Sequence, residues 1–431
     1  MSKKWLTVIW LLSLFIPLQV HAVLTIEITG GTETALPIAI VPFSNENGAS
    51  VNISEVISND LKRSGRFAPL AQQDLLSHPH EQKDINFKDW RLLRSEGLVI
   101  GKVASVDGEQ YQVQFQLFDV YKAQQLVGKR YQVPASGLRR LAHQIADEIY
   151  QALTGEVGVF STRLAYVAVS KGSDGITSYT LRVADSDGEN PRTVLQSKEP
   201  ILSPVWSPDG ERLAYVSFEK GRAEVYVQDM RSGRRSSVAS FKGINSAPAW
   251  SPDGKRLAVT LSKGGNPEIY ILDIATGKLT RITRNTNAID TEPVWMPNGK
   301  ELLFTSDRGG QPQIYRVSAS GGTAKRVTFE GKYNASADIS PDGRNMAMVH
   351  ASGGKFFIAV QDLQTGALQV LTKTGRDESP SFAPNGRLIL YATEEKNSGV
   401  LAAVSVDGRV HQRLGEAGSD VREPAWSPIR K

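Results

Sequence analysis

The sequence contains no cysteine and only six histidines among its 431 residues. Without cysteine the chain can form neither disulfides nor thiolate metal sites, so its stability must come from buried apolar cores. His78 and His80 lie close together, but the proline between them favours a surface loop over a metal site. Neither a Gly-x-Ser-x-Gly elbow nor a glycine-rich phosphate loop is present. The signatures of common hydrolases and nucleotide-binding enzymes are therefore missing.

The chain also carries little net charge. The formal net charge is +5 at neutral pH, and Lys3 and Lys4 contribute two of these charges, which leaves +3 for the rest of the chain. No basic stripe with interleaved aromatic residues accompanies this small excess. The sequence therefore gives no indication of nucleic-acid binding.

The first residues have the pattern of a secretory leader. Lys3 and Lys4 precede an apolar run over residues 5–20, and the segment ends in the small residue Ala22. A positive start, an apolar centre and a small final residue are the parts of a cleavable signal peptide. A retained membrane anchor is the competing interpretation, but the run is short for a spanning helix. We predict a signal peptide over residues 1–22 and no transmembrane segment in the mature chain.

The most informative feature is a phrase that occurs six times. Its first copy, residues 204–210, reads Pro-Val-Trp-Ser-Pro-Asp-Gly, and its second prolines are 43 to 45 residues apart. Ser-Pro-Asp-Gly favours a tight turn, and the large apolar residue before it suits packing between neighbouring units. Alternating apolar runs after each copy predict four strands per repeat, as in a propeller blade. The second prolines are Pro208, Pro252, Pro297, Pro341, Pro384 and Pro428.

The two ends of the repeat region complete each other. Residues 163–169 and 179–184 read as the second and third strands of a blade that lacks its phrase, whereas the sixth phrase, from Pro424, has no strands after it. If the last segment pairs beside residues 164–169, the ring closes and leaves no unpaired strand edge. We predict a six-bladed propeller over residues 157–431, closed by its C-terminal strand.

Two further units precede the propeller. Residues 23–29 alternate apolar and polar side chains, as a half-buried strand does, and Gly30 and Gly31 then break the pattern. We predict a strand and hinge over residues 23–34. Residues 35–156 combine helical and strand patterns with an Asp-Gly hairpin turn, which predicts a separate α/β domain. The predicted fold class is an α+β N-terminal domain followed by an all-β propeller.

The residues just before each phrase should surround one mouth of the propeller channel, because they enter the innermost strands. One arc of this mouth is acidic and another is small and polar, which suits the binding of a peptide or protein segment. A divalent cation held by the acids, and solvated loop acids without a ligand, are alternatives that the residues leave open. The acidic arc comprises Asp290, Glu292, Asp377, Glu378 and Glu423.

The combination of these features resembles the TolB family of the Tol–Pal envelope system. A leader, an alternating N-terminal strand, an α/β domain and six blades that reach the end of the chain occur together in that family. Residues 41–43 (Val-Pro-Phe), 163–166 (Arg-Leu-Ala-Tyr), 291–293 (Thr-Glu-Pro) and 424–428 (Pro-Ala-Trp-Ser-Pro) lie where TolB-like chains have them. Many propellers share the blade phrase, so the resemblance depends on the combination.

The resemblance implies a non-enzymatic periplasmic scaffold. Its mouth would bind the lipoprotein Pal and its N-terminal strand the C-terminal domain of TolA, which would maintain the outer membrane and its invagination during cell division. Colicins and other outer-membrane proteins are further implied partners. No cofactor is expected, apart from a Ca²⁺ ion that the channel acids could hold. By motif, the implied Pal contacts are Ile244, Ala247, Thr291 and Glu292. The implied TolA contacts are Val23, Leu24, Thr25, Ile26, Glu27, Ile28 and Thr29.

Two other functions fit parts of the sequence. A propeller enzyme could use the acidic channel as a metal-binding active site, and a divalent-cation titration with an activity screen would reveal it. A regulator of a separate peptidase would purify with a hydrolase rather than with an outer-membrane lipoprotein. Under the TolB-like interpretation no catalytic residue is expected.

Overall fold

The computed structural model describes residues 24–29, 35–45, 48–172, 175–285, 287–416 and 420–429. The predicted signal peptide, Val23 and the Gly30-Gly31 hinge lie outside these ranges. Within them the chain forms an N-terminal strand, β1 (Leu24–Thr29), an α/β domain and a six-bladed propeller, as predicted. None of the helices in these ranges is both long and apolar enough to cross a membrane.

The α/β domain contains three α-helices and five strands in the described residues. The helices are α1 (Ile53–Arg63), α2 (Phe87–Leu92) and α3 (Leu138–Thr154). The strands are β2 (Leu36–Ile40), β3 (Phe67–Pro69), β4 (Gly97–Ser105), β5 (Gln110–Asp119) and β6 (Gln124–Pro134).

These strands form one sheet with helices on both faces. β2 pairs in parallel with β3 and β4, and β4, β5 and β6 follow as antiparallel neighbours. Because side chains alternate along a strand, Ile38 and Ile40 pack with α1 and α3, whereas Ala39 packs with the buried Trp90 of α2. The domain therefore has two apolar layers, one on each side of the sheet.

Each propeller blade has four strands of its own, and successive blades in the sequence are neighbours around the channel. From the channel outwards, blade 1 contains β30 (Asp420–Trp426), β7 (Arg163–Lys171), β8 (Thr177–Asp185) and β9 (Arg192–Ser197); blade 2 contains β10 (Ile201–Trp206), β11 (Arg212–Ser217), β12 (Glu224–Asp229) and β13 (Arg235–Ala239); blade 3 contains β14 (Asn245–Trp250), β15 (Arg256–Leu261), β16 (Glu268–Asp273) and β17 (Leu279–Arg281).

The second half of the ring repeats this order. Blade 4 contains β18 (Asp290–Trp295), β19 (Glu301–Ser306), β20 (Gln313–Ser318) and β21 (Lys325–Arg326); blade 5 contains β22 (Tyr333–Ile339), β23 (Asn345–Ser352), β24 (Lys355–Asp362) and β25 (Leu368–Val370); blade 6 contains β26 (Glu378–Phe382), β27 (Leu388–Glu395), β28 (Ser398–Ser405) and β29 (His411–Glu416).

The ring closes as the sequence predicts. β30 pairs antiparallel with β7, with Trp426 opposite Leu164, and so supplies the innermost strand of blade 1. The hydroxyl of Ser427 accepts a hydrogen bond from the Arg163 backbone N–H at 2.9 Å. The two ends of the repeat region therefore form one blade between them.

The tryptophans of the repeated phrase join neighbouring blades. The indole N–H of Trp250 donates to the Val205 carbonyl at 3.3 Å, and that of Trp295 donates to the Ala249 carbonyl at 3.2 Å. The guanidinium of Arg212 lies over the Trp250 ring, 4.5 Å from its centroid. Trp206, Trp250 and Trp295 are each hydrogen-bonded to the preceding blade and covered by an arginine, which explains why these copies of the phrase carry tryptophan.

The propeller has two distinct ends. At the domain end, where the Ser-Pro-Asp-Gly turns lie, Asn385 donates to the Val157 carbonyl at 3.0 Å and Arg387 pairs with Glu156 at 2.6 Å. The opposite end, where the innermost strands begin, is the mouth end. β1 runs along blade 6 between the two, because its Thr29 lies opposite His411 and its Leu24 opposite Glu416.

Candidate functional site

Every innermost strand is interrupted at the mouth end by one residue with a left-handed backbone. The φ values of these bulge residues lie between 46° and 54°, and none is glycine. The pairing with the next strand skips at the same place, for example between Leu202 and Val205 in blade 2. Such backbone geometry is unfavourable for residues with a Cβ and persists only where the surroundings enforce it. The bulge residues are Ser203, Ala247, Glu292, Ser336, Ser379 and Glu423.

The four implied Pal contacts lie on two adjacent blades of the mouth end. Ala247 and Glu292 are bulge residues of blades 3 and 4, and Ile244, at the start of blade 3, leaves 45% of its surface exposed. Thr260 of blade 3 donates from its hydroxyl to that of Thr291 in blade 4 at 3.4 Å. The structure thus brings the four residues to one side of the mouth.

Glu292 is bound to the next blade rather than free. Its carboxylate accepts hydrogen bonds from the Ser336 backbone N–H at 2.9 Å and the Ser336 hydroxyl at 2.7 Å. The hydroxyl of Thr305 adds a third bond at 2.7 Å. Because an ionised acceptor makes stronger hydrogen bonds than a neutral one, Glu292 holds the bulges of blades 4 and 5 in fixed relation.

Two members of the expected acidic arc do not act as mouth acids. Asp290 is buried and accepts two hydrogen bonds from Arg308, at 2.8 and 2.7 Å. Asp377 is buried as well, and the hydroxyls of Thr372 and Thr374 donate to it. Of the five acids expected in the arc, these two therefore already have partners within the protein. Arg308 follows the second strand of blade 4, and the two threonines lie in the loop that leads to Asp377 itself.

Glu378 and Glu423 remain as the acidic pair of the channel. Burial, followed by the negative charge of Glu378, raises the pKa of Glu423 to about 7. Burial also raises the pKa of Glu378. The Glu423 carboxylate accepts a hydrogen bond from the Ser203 backbone N–H at 3.2 Å, so it connects the bulges of blades 1 and 2. Arg422 offsets part of the rise in the pKa of Glu378.

A cavity of about 1030 Å³ opens beside this pair, between blades 4, 5, 6 and 1. Its lining mixes both signs of charge with aromatic surface, and Arg376 and Glu394 pair within it. Mixed polar and apolar linings of this size suit a segment of polypeptide. Only Glu292 among the implied Pal contacts lines it. The further lining residues include Tyr333, Lys355, Phe356, Arg376 and Arg422, which no repeat or motif singled out.

The N-terminal strand is paired within its own chain. β1 lies antiparallel to β29 over six residue pairs and becomes the fifth, outermost strand of blade 6. The residues implied for TolA binding, apart from Val23, therefore occupy a sheet edge in this conformation. An edge strand held by one neighbour can leave it and add to another sheet.

One group in the described part of the chain has metal-like geometry, and it lies away from the channel. Potential ligand atoms of Asp60, His143 and Asp187 come within 4.8 Å of one another. Arg63 and Arg139, however, already bind the two carboxylates. We therefore assign this group to the contact between the α/β domain and the propeller.

Comparison with known proteins decides the family. Residues 24–126 match the family described as "TolB amino-terminal domain", and residues 150–430 match "TolB beta propeller domain". The chain belongs to the TolB family. It is 64% identical to the Tol-Pal system protein TolB of Nitrosococcus oceani, with 99% of both chains covered. The corresponding protein of Xanthomonas campestris pv. campestris is 50% identical, with 99% of this chain and 98% of the relative covered.

A solved structure supports the assignment of the fold. The crystal structure of TolB from Acinetobacter baumannii is 44% identical and superposes with a TM-score of 0.87, covering 94% of this chain and 100% of that one. Membership along the whole chain makes this protein a component of the Tol–Pal system.

Proposed function

We propose that the chain is a non-enzymatic periplasmic scaffold that links Pal, at the propeller mouth, to the C-terminal domain of TolA, at β1. In this role it maintains the outer membrane and its invagination during cell division. The observation that carries the proposal is the position of β1, which lies along the outer edge of blade 6 and has its first residue, Leu24, at the mouth end. The segment implied for TolA is therefore held on the same propeller whose mouth would bind Pal.

The mouth has the features of a protein-binding surface. Ile244 is exposed beside bulge residues whose backbone the neighbouring blades hold in place, as Glu292 holds Ser336. A surface that is fixed before binding loses little conformational entropy when a partner docks. These properties support Ile244, Ala247, Thr291 and Glu292 as Pal contacts.

β1 suits a partner that adds a strand. Its six residues alternate apolar and polar, and its present partner is only the outer strand of blade 6. Leaving β29 would free its backbone for another sheet edge, at which main-chain hydrogen bonds give affinity and alternate side chains give specificity. This supports residues 23–29 as the TolA-binding segment.

The channel has fewer carboxylates available for a metal-binding active site than the sequence suggested. Two of its five expected acids are occupied by Arg308 and by threonine hydroxyls. Glu378 and Glu423 have the donor chemistry that Ca²⁺ prefers, and the raised pKa of Glu423 reflects its burial and then the negative charge of Glu378, which a cation would offset. These two residues would hold Ca²⁺ if it binds, and its effect would be to neutralise this charge.

The mouth assignment is tested with Ala247→Trp. A large ring at this bulge should block a docked segment without entering the core, so Pal affinity should fall at least tenfold while the melting temperature stays unchanged. Ser232→Trp, in an exposed turn at the domain end, is the matched control and should bind Pal normally. Normal Pal affinity in Ala247→Trp would exclude this side of the mouth.

The strand assignment is tested by deleting residues 23–29. TolA binding should disappear while the melting temperatures of the two domains persist. Because coupling between two sites is reciprocal, Pal affinity should also change, by about 5- to 150-fold for coupling of typical size. TolA binding that survives the deletion would show that β1 is not the docking segment.

A further inference from the structure

The contact between the α/β domain and the propeller contains a buried cluster of charged groups. Arg63, the last residue of α1, donates to the Ser186 carbonyl at 3.1 Å and to the Ser186 hydroxyl at 2.7 Å, across the contact. Arg139 of α3 pairs with Asp185 at 3.5 Å and also binds Asp187. Asp185 is the last residue of β8 in blade 1, and Ser186 and Asp187 lie in the turn that follows it.

His143 of α3 lies at the centre of this cluster. Its Nδ1 is 2.6 Å from Oδ2 of Asp60 in α1, and its Nε2 is 3.6 Å from Oδ2 of Asp187 in blade 1. The side chain is 2% exposed, and Nε2 has no hydrogen-bond partner among the described residues. Only the imidazolium form carries a proton on both nitrogens and can face two carboxylates favourably.

The charges around His143 favour this proton. Asp60 and Arg63 face the cluster from α1, Arg139 and Asp147 from α3, and Asp185 and Asp187 from blade 1. Four carboxyl groups thus meet two guanidinium groups. Burial alone lowers the pKa of His143, but the charge and hydrogen bond of Asp60, followed by the charge of Asp187, outweigh it and raise the pKa.

We propose that His143 is a proton-operated latch between the α/β domain and the propeller. The imidazolium bridges Asp60 of the α/β domain and Asp187 of blade 1, and it holds the two bodies together. The neutral imidazole keeps its bond to Asp60 but presents a lone pair to the Asp187 carboxylate. Loss of the proton therefore weakens the contact between the two bodies and leaves the fold of each intact.

The latch reaches β1 through one further contact. The side-chain amide of Gln412 donates to the Arg63 carbonyl at 2.5 Å, and Gln412 lies opposite Ile28 in the pairing of β29 with β1. Movement of α1 away from blade 1 would therefore disturb the strand on which β1 lies. We expect a chain with an open latch to hold β1 less firmly.

The direction of the pH dependence follows from the raised pKa. In an unfolded chain the pKa of a histidine is about 6.5, and here the folded value is higher. The stabilising contribution of His143 is thus complete below about pH 6.5 and disappears as the pH rises through the folded value. The latch is therefore closed at a pH below the folded pKa of His143 and open at a pH above it.

Spin-label distances test the latch directly. Because the chain has no cysteine, labels can be attached to cysteines introduced for Gln73 of the α/β domain and Ser232 of blade 2, which are exposed. We expect a narrow distance distribution at about pH 5.5 and a broader one once the pH has passed the midpoint at which the His143 ring loses its proton. His143→Gln should remove this pH response, and His78→Gln, in an exposed loop, should retain it.

Nuclear magnetic resonance provides the second measurement. The titration midpoint of the His143 ring should lie above about 6.5 in the parent, and Asp187→Asn should lower it. Hydrogen exchange at Leu24–Thr29, corrected for the intrinsic effect of pH, should be faster with the latch open. A distance distribution that does not change with pH, or a midpoint that Asp187→Asn leaves unchanged, would overturn the proposal.

Discussion

Charged side chains are arranged differently at the domain end and at the mouth end of the propeller. At the domain end Arg63, Arg139 and His143 surround buried carboxylates, and Arg63 and Arg139 also bind Ser186 and Asp187 across the contact. At the mouth end burial, followed by the charge of Glu378, raises the pKa of Glu423, and the charge of Arg422 only partly offsets the rise in the pKa of Glu378. Opposite charges hold two parts of one chain together, whereas carboxylates in a poorly solvated channel leave electrostatic energy that a cationic ligand would release. The domain end is therefore a contact within the chain, and the mouth end keeps an open cavity.

The largest effect is expected from opening the ring, which disturbs the domain end and the mouth end together. Deleting residues 420–431 takes β30 from blade 1, exposes the edge of β7 and leaves the space of Trp426 empty. Removing a large buried side chain alone costs about 3–5 kcal/mol, and the lost strand pairing adds to this. We expect a loss of more than about 5 kcal/mol of unfolding free energy in denaturant titration, together with self-association in size-exclusion chromatography. A deletion variant that unfolds like the parent and stays monomeric would contradict the closed ring.

A smaller loss of stability, limited to the domain end, is expected when a buried arginine is replaced. Arg63→Met removes the hydrogen bonds to Ser186 and leaves the buried Asp60 carboxylate with less positive charge. Breaking a buried ion pair in this way costs about 3–5 kcal/mol. We expect an earlier unfolding transition for the α/β domain and unchanged Pal binding. Arg140→Met, on the exposed side of α3, is the control, and an equal effect in both variants would remove the special role of the buried cluster.

The corresponding change at the mouth end is Glu292→Ala. It leaves the Ser336 backbone N–H without its acceptor and releases the bulges of blades 4 and 5. Losing charge-assisted hydrogen bonds typically costs about 1.5–3 kcal/mol, so we expect about 2 kcal/mol in denaturant titration. Glu211→Ala, on an exposed turn, should cost little. Stability equal to the parent would contradict the role of Glu292 in holding the two bulges.

The smallest effect concerns pH. Because the folded pKa of Glu423 is about 7, well above the ordinary 4.5, its contribution to stability is complete below about pH 4.5 and declines as the pH rises towards 7. Glu423→Gln should abolish this decline and make the protein about 1–2 kcal/mol more stable than the parent at pH 8, allowing for solvent in the channel. Parallel stability curves for the two proteins between pH 5 and pH 8 would contradict the assignment.

Repeats made much of the fold predictable. The six evenly spaced copies of the phrase indicated six blades. The incomplete repeats at the two ends of the repeat region indicated that β30 pairs with β7. Asn86 caps α2 as its residue type suggests, since its side chain accepts the Lys88 backbone N–H at 3.3 Å. Ser136, by contrast, looks like the cap of α3 but lies in a short 3-10 turn, and α3 starts at Leu138. Local patterns thus identify elements better than their ends.

The site was less predictable because its properties depend on partners distant in sequence. A left-handed residue before proline has no sequence signature, since proline favours an extended residue before it. Asp290 and Glu292 are two residues apart, yet one binds Arg308 inside its blade and the other binds Ser336 in the next. His143 meets Asp60 from 83 residues away, which no spacing rule would detect.

Ring closure also sets the order of events when the chain folds. The bond between Arg163 and Ser427 spans 264 residues, so blade 1 cannot be completed until almost the whole propeller has been synthesised. Contacts of such long sequence separation form slowly, because a large loop must close before any of its contacts stabilise it. Until then β7 presents a free edge and Trp206 lacks the Ala425 carbonyl that its indole binds at 3.2 Å. A chain in which β30 has not yet reached β7 therefore exposes a strand edge, which is the kind of surface through which incompletely folded proteins aggregate.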